Sequence, residues 1–409
     1  MAKTIWIVNY YTKPDCSNPR YIEFAKHFMA SGWEVLTFYA NYKGEESDPL
    51  FTKQEVDGLN YVQVRAPRYV GNGLSRMKSI FSFAWAIKKH SMEFERPDVI
   101  LHNIHTPFDY PIVWTAKKLN AKYIAEAWDV WPDVFAHLGL ISRKNPAFKF
   151  IIWLEKRLYQ KADEIVFTFA GGLPRLQELC WTTEKGGKID PAKVHYINNG
   201  IDLEQFDKDR EAWPRKDEDL NDPKTLKVIY LGSINRANHV HTLIEAAKLL
   251  KDLDYYRFFI YGDGADRENL EKKVKDEGIT NVVFKEKRIP LCECAWVVSQ
   301  ANVNVMNYQK GFGYMGVSSG KMFQYLAAGK PIVCNVRIAF DDVITENHLG
   351  ICRDIETPEA FAQAIRDVAE QPRASYDAMC ERVRETAKRF DYKVLAAQEI
   401  EVIESALKR

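Results

Sequence analysis

The segment Gly311–Asn335 reads GFGYMGVSSGKMFQYLAAGKPIVCN, and the rest of the chain can be placed around it. Ser318 and Ser319 offer hydroxyls that favour a helix start, while Gly329 and Pro331 favour a helix end. The apolar run after Pro331 is typical of a buried strand. The segment therefore predicts a glycine-rich loop, then a helix over residues 321–328, then a strand.

Lys321 lies in the first turn of this predicted helix. A lysine there opposes the helix dipole, so helix stability does not explain it, whereas an anionic ligand would. The open amides of a helix start and a nearby cation suit a diphosphate. The alternative is an ordinary loop before a buried helix, and the motif by itself does not decide between the two.

The segment also resembles a known site. A run of the form S-x-x-K-x-x-x-Y-x-A-x-G-K-P resembles the nucleotide-sugar site of bacterial glycosyltransferases of family four. Its residues here are Ser318, Lys321, Tyr325, Ala327, Gly329, Lys330 and Pro331. The resemblance implies an α/β chain with the GT-B fold, in which two Rossmann-like, doubly wound domains face each other across a cleft. The most similar branch of the family builds surface polysaccharides, such as lipopolysaccharide and capsule, on lipid carriers.

The chain departs from the family at two positions. Most members carry two glutamates eight positions apart in this region, and Gly316 and Gln324 stand at those places. Gln324 can still hydrogen-bond a ribose hydroxyl, but Gly316 has no side chain to hold a sugar. The departure bears on recognition of the donor sugar more than on binding of the nucleotide.

Length and composition agree with two globular domains. The chain has 409 residues, and 46% of them are hydrophobic. Its net charge of +1 offers no strongly basic surface, so we expect no nucleic-acid partner. Residues 1–200 carry 26 basic and 21 acidic residues, a net +5, so the basic part is the first half.

The predicted first domain spans residues 1–198 and the second 199–389, with a C-terminal helix over 390–409 that crosses back to the first. The tetrapeptide N-G-I-D at Asn199–Asp202, followed by Phe206, resembles the interdomain signature of the family. The polar run from there to Pro223 predicts a linker.

Cysteine usage and the N-terminus favour a cytoplasmic protein. The seven cysteines are scattered, and Cys292 and Cys294 lack a second ligand pair for zinc. The sequence has no extended apolar stretch of a signal peptide and no span of about 20 apolar residues. We expect a cytoplasmic protein that attaches peripherally to the membrane.

The loop Asn9–Pro19 lies between a predicted strand over residues 4–8 and a predicted helix over 20–31. Loops at the carboxyl ends of strands line the ligand crevice of an open α/β sheet. In the family the matching loop faces the acceptor, which makes Asn18 and Arg20 acceptor candidates. The alternative is a solvated loop without a ligand.

A second candidate region is Lys122–Pro132, KYIAEAWDVWP. Its strand is predicted to end near Ala125, so Glu126 and Asp129 would emerge at the carboxyl edge, where a carboxylate could act as a general base or orient an acceptor hydroxyl. The alternative is a capped turn with buried tryptophans. The family branch has an E-x-x-D-x-W-P signature here, which the chain matches. His105, at a neighbouring strand end, is a further acceptor candidate, although most such histidines are plain loop residues.

Two segments of the first domain combine cations with aromatic residues. No acid occurs from Gly58 to Met92, where six basic residues alternate with Phe81, Phe83 and Trp85. Arg143–Lys161 has six basic residues and one acid, together with several aromatic residues. Such a surface can bind the inner face of an anionic membrane, each cation contributing on the order of 1 kcal/mol. The alternative is that the aromatic residues belong to the core.

The second domain offers further donor-binding candidates at the ends of its predicted strands. A glycine turn enters a helix after the strand over residues 226–231, and guanidinium binds oxyanions bidentately. Most of the family has a Lys-Gly pair where this chain has Asn238 and His239. The donor-binding candidates are Gly232, Ser233, Arg236, Gly262, Arg288, Ser318, Ser319, Lys321 and Gln324.

The sequence thus predicts a glycosyltransferase that moves a sugar from a nucleotide-diphosphate sugar, with UDP as the expected carrier, to a lipid-linked saccharide. The resemblance implies a retaining, metal-independent reaction without a cofactor, and the sequence has no Asp-x-Asp pair. Two alternatives remain. One is a GT-B sugar-nucleotide epimerase, and the other is a non-catalytic subunit that binds a nucleotide sugar.

Overall fold

The computed structural model describes residues 3–16, 18–71, 73–129, 131–133, 136 and 141–409. The chain divides into two compact units. Unit 1 contains the residues up to Asn198 together with Tyr392–Arg409, and unit 2 contains Asn199–Asp391.

Unit 1 is built on an eight-stranded sheet with the order β3-β4-β2-β1-β5-β6-β7-β8. Its strands are β1 (Thr4–Val8), β2 (Glu34–Asn41), β3 (Phe51–Val56), β4 (Leu59–Arg65), β5 (Val99–Asn103), β6 (Lys122–Ala127), β7 (Glu164–Phe167) and β8 (Val194–Tyr196). All neighbouring pairs are parallel except β3 and β4. Because β1 lies between β2 and β5, the loops after β1 and β5 diverge, which creates a crevice at their carboxyl ends.

Helices cover both faces of this sheet. They are Arg20–Ala30, Leu74–His90, Pro111–Leu119, Pro146–Tyr159, Gly172–Glu178 and Tyr392–Lys408. The last of these follows unit 2 in the chain but packs in unit 1, where Leu395, Ala396 and Ile403 join the same core cluster as Phe24 and Phe28.

Unit 2 is built on six parallel strands in the order β11-β10-β9-β12-β13-β14. They are β9 (Leu226–Leu231), β10 (Tyr256–Tyr261), β11 (Val282–Phe284), β12 (Val303–Met306), β13 (Ile332–Cys334) and β14 (Gly350–Cys352). Here the order reverses between β9 and β12, so the loops after these two strands form the crevice of unit 2.

The helices of unit 2 are Leu203–Ala212, Glu218–Asn221, Val240–Leu249, Arg267–Asp276, Leu291–Ser299, Gly320–Ala327, Val343–Glu346, Pro358–Ala369 and Arg373–Ala387. The first two lie in the run up to Pro223, so its prediction as a linker is wrong. Asp202 caps the first helix by accepting a hydrogen bond from Gln205 N, and Leu203 and Phe206 bury their side chains in the core.

Two further predictions differ from the structure. The sequence did not reveal the antiparallel hairpin of β3 and β4, whose tight turn contains Asp57 at a φ of 51° and Gly58 at 75°. Strand β6 also ends at Ala127 instead of near Ala125, so Glu126 lies within the strand.

Candidate functional site

The candidate site of unit 2 begins at helix Gly320–Ala327. Ser319 precedes its first turn, as predicted, but the Ser319 side chain makes no capping hydrogen bond. The neighbouring Ser318 Oγ instead accepts a hydrogen bond of 2.9 Å from Asn199 Nδ2. The first amides of a helix have no partner within it, so this helix start can donate to a ligand.

Lys321 projects from that first turn toward the turn after β9. Its ammonium Nζ donates to Asn238 Oδ1 at 2.8 Å and lies 3.3 Å from Tyr230 Oη. The ring centroids of Tyr230 and Tyr308 lie 4.8 and 4.9 Å from Nζ. Within the described ranges no carboxylate pairs with this ammonium. Burial lowers the pKa of Lys321 to about 8.

Close backbone contacts hold the turns around Lys321 together. A Cβ at Gly232 would lie 2.9 Å from Lys321 Cδ. A Cβ at Gly262 would overlap Gly232 O, and one at Gly264 would overlap Ile234 O. Both of these glycines also have positive φ angles, 127° and 155°. Gly262 and Gly264 are therefore required for the loops after β9 and β10 to approach each other, and Gly232 leaves room for the Lys321 side chain.

The turn Arg236–Asn238 connects β9 to the next helix. Asn235 starts it by accepting a hydrogen bond from Asn238 N. His239 has a φ of 48°, so the chain keeps a left-handed backbone where most family members have glycine. Arg236 is exposed and borders a cavity of about 390 Å³ with His241. A cation in this place is available to a ligand but does not contact Lys321.

The remaining donor candidates lie around the same strand ends. Gln324 Oε1 is buried and has no hydrogen-bond partner among the described residues. Ser233 is exposed, and its carbonyl oxygen accepts a hydrogen bond of 2.7 Å from Tyr230 Oη. Arg288 is exposed after β11. Gly316 has a φ of 96° in the loop before Lys321, so the backbone requires glycine there. Glycine also has no side chain that could hold a sugar.

In unit 1, Asp129 lies two residues beyond the end of β6 and is exposed. The surrounding protein nevertheless limits its hydration and raises the pKa of its carboxyl above the ordinary value, while the positive charge of Arg76 acts in the opposite direction. A carboxylate in this place can accept a hydrogen bond from a hydroxyl that approaches the strand end.

Contrary to the prediction, Glu126 and Arg20 do not lie at an open edge of the sheet. Both side chains are fully buried, and Arg20 Nε donates to Glu126 Oε1 at 2.7 Å. The other Arg20 nitrogens donate to the carbonyl oxygens of Asn198 and Ile197, and Glu399 lies 3.8 Å away. The pair is enclosed because β6 runs past Glu126 and helix Tyr392–Lys408 covers it. Arg20 and Glu126 therefore hold elements together instead of contacting an acceptor.

Asn18 is half-buried, and its Oδ1 accepts a hydrogen bond of 3.2 Å from Arg20 N at the start of the first helix. His105 is half-buried in the crevice of unit 1, and its Nε2 lies 3.3 Å from Asn9 Oδ1. Asn9 Oδ1 also accepts from two backbone amides, so Nε2 must donate and Nδ1 carries the lone pair. Burial, with His102 and Arg76 nearby, lowers the pKa of His105 to about 3, which keeps the ring neutral.

Several side chains at these sites were not singled out from the sequence. Tyr230, Asn238 and Tyr308 surround Lys321 in unit 2, and Tyr11 and Arg76 lie beside His105 in unit 1. In the sequence, Asn238 is recognisable only as a departure from the lysine that most of the family has at this position. Its Oδ1 gives Lys321 an acceptor where a second ammonium would repel it.

A search of the described residues finds no group of three His, Cys, Asp or Glu side chains that could hold a metal ion. Lys321 and Arg236 supply positive charge next to the candidate donor site.

Comparison with known protein families gives two matches in sequence order. Residues 20–205 match the model of Glycosyltransferase Family 4, and residues 211–390 match that of Glycosyl transferases group 1. A probable glycosyltransferase of Pseudomonas aeruginosa, WbjE, is 23% identical over 312 residues, which cover 74% of this chain and 73% of that protein.

Solved structures share the fold at low identity. One from E. coli, titled as trehalose-6-phosphate bound with UDP-2-fluoro glucose, has a TM-score of 0.74 at 10% identity and covers 98% of this chain and 99% of that one. WaaG, described as a glycosyltransferase involved in lipopolysaccharide biosynthesis, has a TM-score of 0.69 at 14% identity and covers 98% and 99%. The GT-B fold expected from the sequence is confirmed. The two family matches, which together span residues 20–390 with a short gap, and the glycosyltransferase relative show that the chain belongs to the family-four glycosyltransferases.

Proposed function

We propose that this glycosyltransferase moves a sugar, with retention of anomeric configuration, from a UDP-sugar to a lipid-linked saccharide in the synthesis of a surface polysaccharide. The observation that carries the donor assignment is Lys321, whose ammonium is enclosed at a helix start and pairs with no carboxylate of the described residues. A diphosphate would supply that charge. The UDP-sugar analogue in the E. coli structure and the description of WaaG support the choice of donor and of process.

On the donor side, charge develops on the departing diphosphate as the bond to the sugar breaks. Lys321 and the amides of helix Gly320–Ala327 would stabilise that charge more in the transition state than in the ground state. Arg236, exposed beside its cavity, would contact the same diphosphate from the turn after β9. Gln324 Oε1, which is buried without a partner in the described chain, would accept a hydrogen bond from a ribose hydroxyl.

On the acceptor side, Asp129 would hold the hydroxyl that attacks the anomeric carbon. Its raised pKa makes it a better proton acceptor than an ordinary aspartate. In a retaining reaction the departing phosphate can itself take the proton, in which case Asp129 only orients the hydroxyl. The neutral ring of His105, with its Nδ1 lone pair, could accept a second hydrogen bond from the acceptor.

The donor and acceptor assignments can be tested together. Purified protein is incubated with a panel of nucleotide sugars, with and without lipid-linked saccharides, and free UDP and epimerised donor are measured separately. UDP release that depends on the lipid-linked acceptor supports the proposal. Epimerised donor without transfer would indicate the epimerase, and binding without either reaction would indicate the non-catalytic subunit.

Turnover in this assay is expected to be the same after treatment with EDTA, because Lys321, Arg236 and the helix start supply the positive charge that a metal would otherwise provide. The measurement is the rate of UDP release with EDTA and then with added manganese or magnesium. Complete loss with EDTA and recovery with either metal would contradict this expectation.

An exposed aromatic face in unit 1 supports a lipid-linked acceptor. We define the aromatic face as Phe81, Trp85, Trp114, Phe150 and Trp153, each exposed by 41–53%. Phe81 stacks on Trp85, whose ring lies 6.3 Å from Trp114, and Phe150 stacks on Trp153. The ring of Tyr110 lies 5.4 Å from that of Trp114, and the positive charge of Arg157, on the helix of Phe150 and Trp153, acts on the Tyr110 hydroxyl. The face therefore spans three helices.

Cations lie beside the rings of the aromatic face. Other aromatic residues of the segments Gly58–Met92 and Arg143–Lys161 belong to the core. Lys88 Nζ lies 4.4 Å from the Trp85 ring, and the Arg157 guanidinium lies 5.5 Å from that of Trp153. Phe83 and Phe148, in contrast, are buried. None of the described helices is long and apolar enough to cross a bilayer. Exposed tryptophans next to lysine and arginine are suited to the interface of an anionic membrane.

The double substitution Trp85→Ala and Trp114→Ala is expected to weaken binding to anionic vesicles about tenfold or more, because burial of a large apolar side chain contributes roughly 1.5–3 kcal/mol. The measurement is co-sedimentation with phosphatidylcholine vesicles, with and without phosphatidylglycerol. Trp213→Ala is the matched control, since Trp213 is 52% exposed in unit 2. Equal vesicle binding by both variants would remove the aromatic face from the proposal.

A further inference from the structure

Four tyrosines form two layers at the carboxyl ends of β1, β2 and β4. The inner layer is Tyr10, which is only 1% exposed and whose hydroxyl lies 2.6 Å from Ser79 Oγ. The outer layer consists of Tyr11, Tyr42 and Tyr69, all half-buried. Tyr42 stacks on Tyr10 with ring centroids 5.6 Å apart and contacts Tyr69 at 5.2 Å. The outer rings therefore rest on a rigid inner ring.

Polar groups fix the outer layer. The hydroxyls of Tyr11 and Tyr69 lie 3.0 Å apart, and Arg76 Nε donates to Tyr11 Oη at 3.0 Å. The His105 ring is 4.8 Å from that of Tyr11. Arg76 also acts electrostatically on Asp129 and on His105. The rings thus adjoin His105, and the charge of Arg76 acts on Asp129, the other residue that the proposed function assigns to the acceptor.

We propose that Tyr11, Tyr42 and Tyr69, called here the tyrosine platform, bind a sugar ring of the acceptor saccharide by stacking, with Arg76 holding Tyr11 in position. This inference rests on the proposed function and adds the subsite that recognises the acceptor. The sequence assigns no role to the three tyrosines, and it places Arg76 only among the cations of a membrane-binding surface.

The chemistry of the platform matches a saccharide better than an acyl chain. One face of a pyranose ring presents C–H bonds that pack against an aromatic ring, while its rim presents hydroxyls. The platform supplies aromatic faces, phenol hydroxyls and a guanidinium within one small area. An acyl chain would displace water from those polar groups without offering them a hydrogen bond in return, which costs free energy.

The platform can be tested with Tyr42→Leu and Tyr69→Leu, which remove a ring but keep apolar volume. Octyl glycosides with different sugars are the probes, and each is tested in two ways. In saturation-transfer difference NMR, the ring protons of a bound glycoside are expected to receive saturation from the wild type and to lose most of it in both variants. In the transfer assay, the acceptor KM is expected to rise about tenfold, while the UDP affinity measured by calorimetry stays unchanged.

Two further variants distinguish a role of these rings in stacking on a sugar from a role in packing of the fold. Tyr69→Phe keeps the ring and removes the hydroxyl bond to Tyr11, so its KM is expected to rise less than that of Tyr69→Leu. Tyr255→Leu is the matched control, because Tyr255 is 36% exposed and lies in unit 2. A lower melting temperature with unchanged acceptor KM in the folded leucine variants would make the platform a packing feature and overturn the inference.

The failure of this inference differs from that of the proposed function. If the wild type binds glycosides through these tyrosines but transfers sugar to no acceptor, the transferase assignment to this acceptor class fails and the platform stands. If the wild type transfers sugar and both leucine variants keep the wild-type acceptor KM, the platform proposal is wrong and the proposed function stands. Absence of saturation transfer from the wild type to every glycoside also counts against the platform.

Discussion

Lys321→Met is expected to weaken UDP binding about 10- to 150-fold, because a charge-assisted hydrogen bond contributes roughly 1.5–3 kcal/mol. Methionine keeps most of the side-chain stem beside Gly232 and removes the ammonium that Asn238 and Tyr230 hold in place. Isothermal titration calorimetry with UDP is the measurement. Lys251→Met is the matched control, since Lys251 is exposed beyond the far end of helix Val240–Leu249.

The same lysine predicts a pH dependence. The pKa of Lys321 is lowered to about 8 in the free protein, so the ammonium loses its proton as the pH rises through that value. Because the protonated form binds the diphosphate, UDP affinity is expected to fall above about pH 8, and binding near pH 8 should take up a proton. Lys321→Met should lose this dependence. Unchanged UDP affinity in the variant would remove Lys321 from the phosphate site.

Arg236→Ala provides a comparison within the same site. Its guanidinium is exposed and borders a wide cavity, whereas Lys321 is enclosed by two rings and an amide. Solvent screens an exposed charge more strongly, so the loss for Arg236→Ala should be smaller than that for Lys321→Met. Unchanged affinity in both variants would remove the diphosphate from this helix start altogether.

Asp129→Asn is expected to lower turnover by about 10² to 10⁴, the usual contribution of a general base, and to leave UDP affinity unchanged. Asparagine keeps the size of the side chain and removes its negative charge. Asp129 lies in unit 1, whereas the donor candidates belong to unit 2, which is why only turnover should respond. The measurement combines the rate of transfer with calorimetry on the same preparation.

Asp57→Asn is the matched control for this substitution, because Asp57 is an exposed aspartate of unit 1 in the turn between β3 and β4. If Asp129 only stabilises a turn, Asp129→Asn should lower the melting temperature and leave the specific activity of the folded fraction near that of wild type. That result would leave unit 1 without a named catalytic group.

Much of the fold could be predicted because its strands are buried on both faces. Strands β1 and β9 have the predicted bounds, since each is a short, nearly continuous run of apolar residues. Strand β3 could not be recognised, because FTKQEV forms one edge of the sheet and leaves most of its side chains partly or fully exposed. Without apolar alternation, an edge strand looks like a loop.

The donor side of the site was more predictable than the acceptor side. The glycines at 232, 262 and 264 and the position of Lys321 follow from local backbone requirements that the sequence displays directly. Arg20 and Glu126 match family positions, but their environment depends on Glu399, which is distant in the chain and close in space. No local pattern could show that this helix would bury them. The outer tyrosines were missed for the same reason, since Tyr11, Tyr42 and Tyr69 follow three different strands.

The placement of helix Tyr392–Lys408 has a consequence for the order in which the protein is made. The helix contributes Leu395, Val402 and Ile403 to the core of unit 1, yet the ribosome produces it only after the whole of unit 2. Until the helix is made, the apolar side chains that it covers, among them Phe24 and Phe28, stay uncovered on that side. Unit 2 can close while the chain is still growing, whereas unit 1 must wait for a helix that follows the whole of unit 2. A recombinant fragment that stops at Asn198 would lack a structural part of its own core.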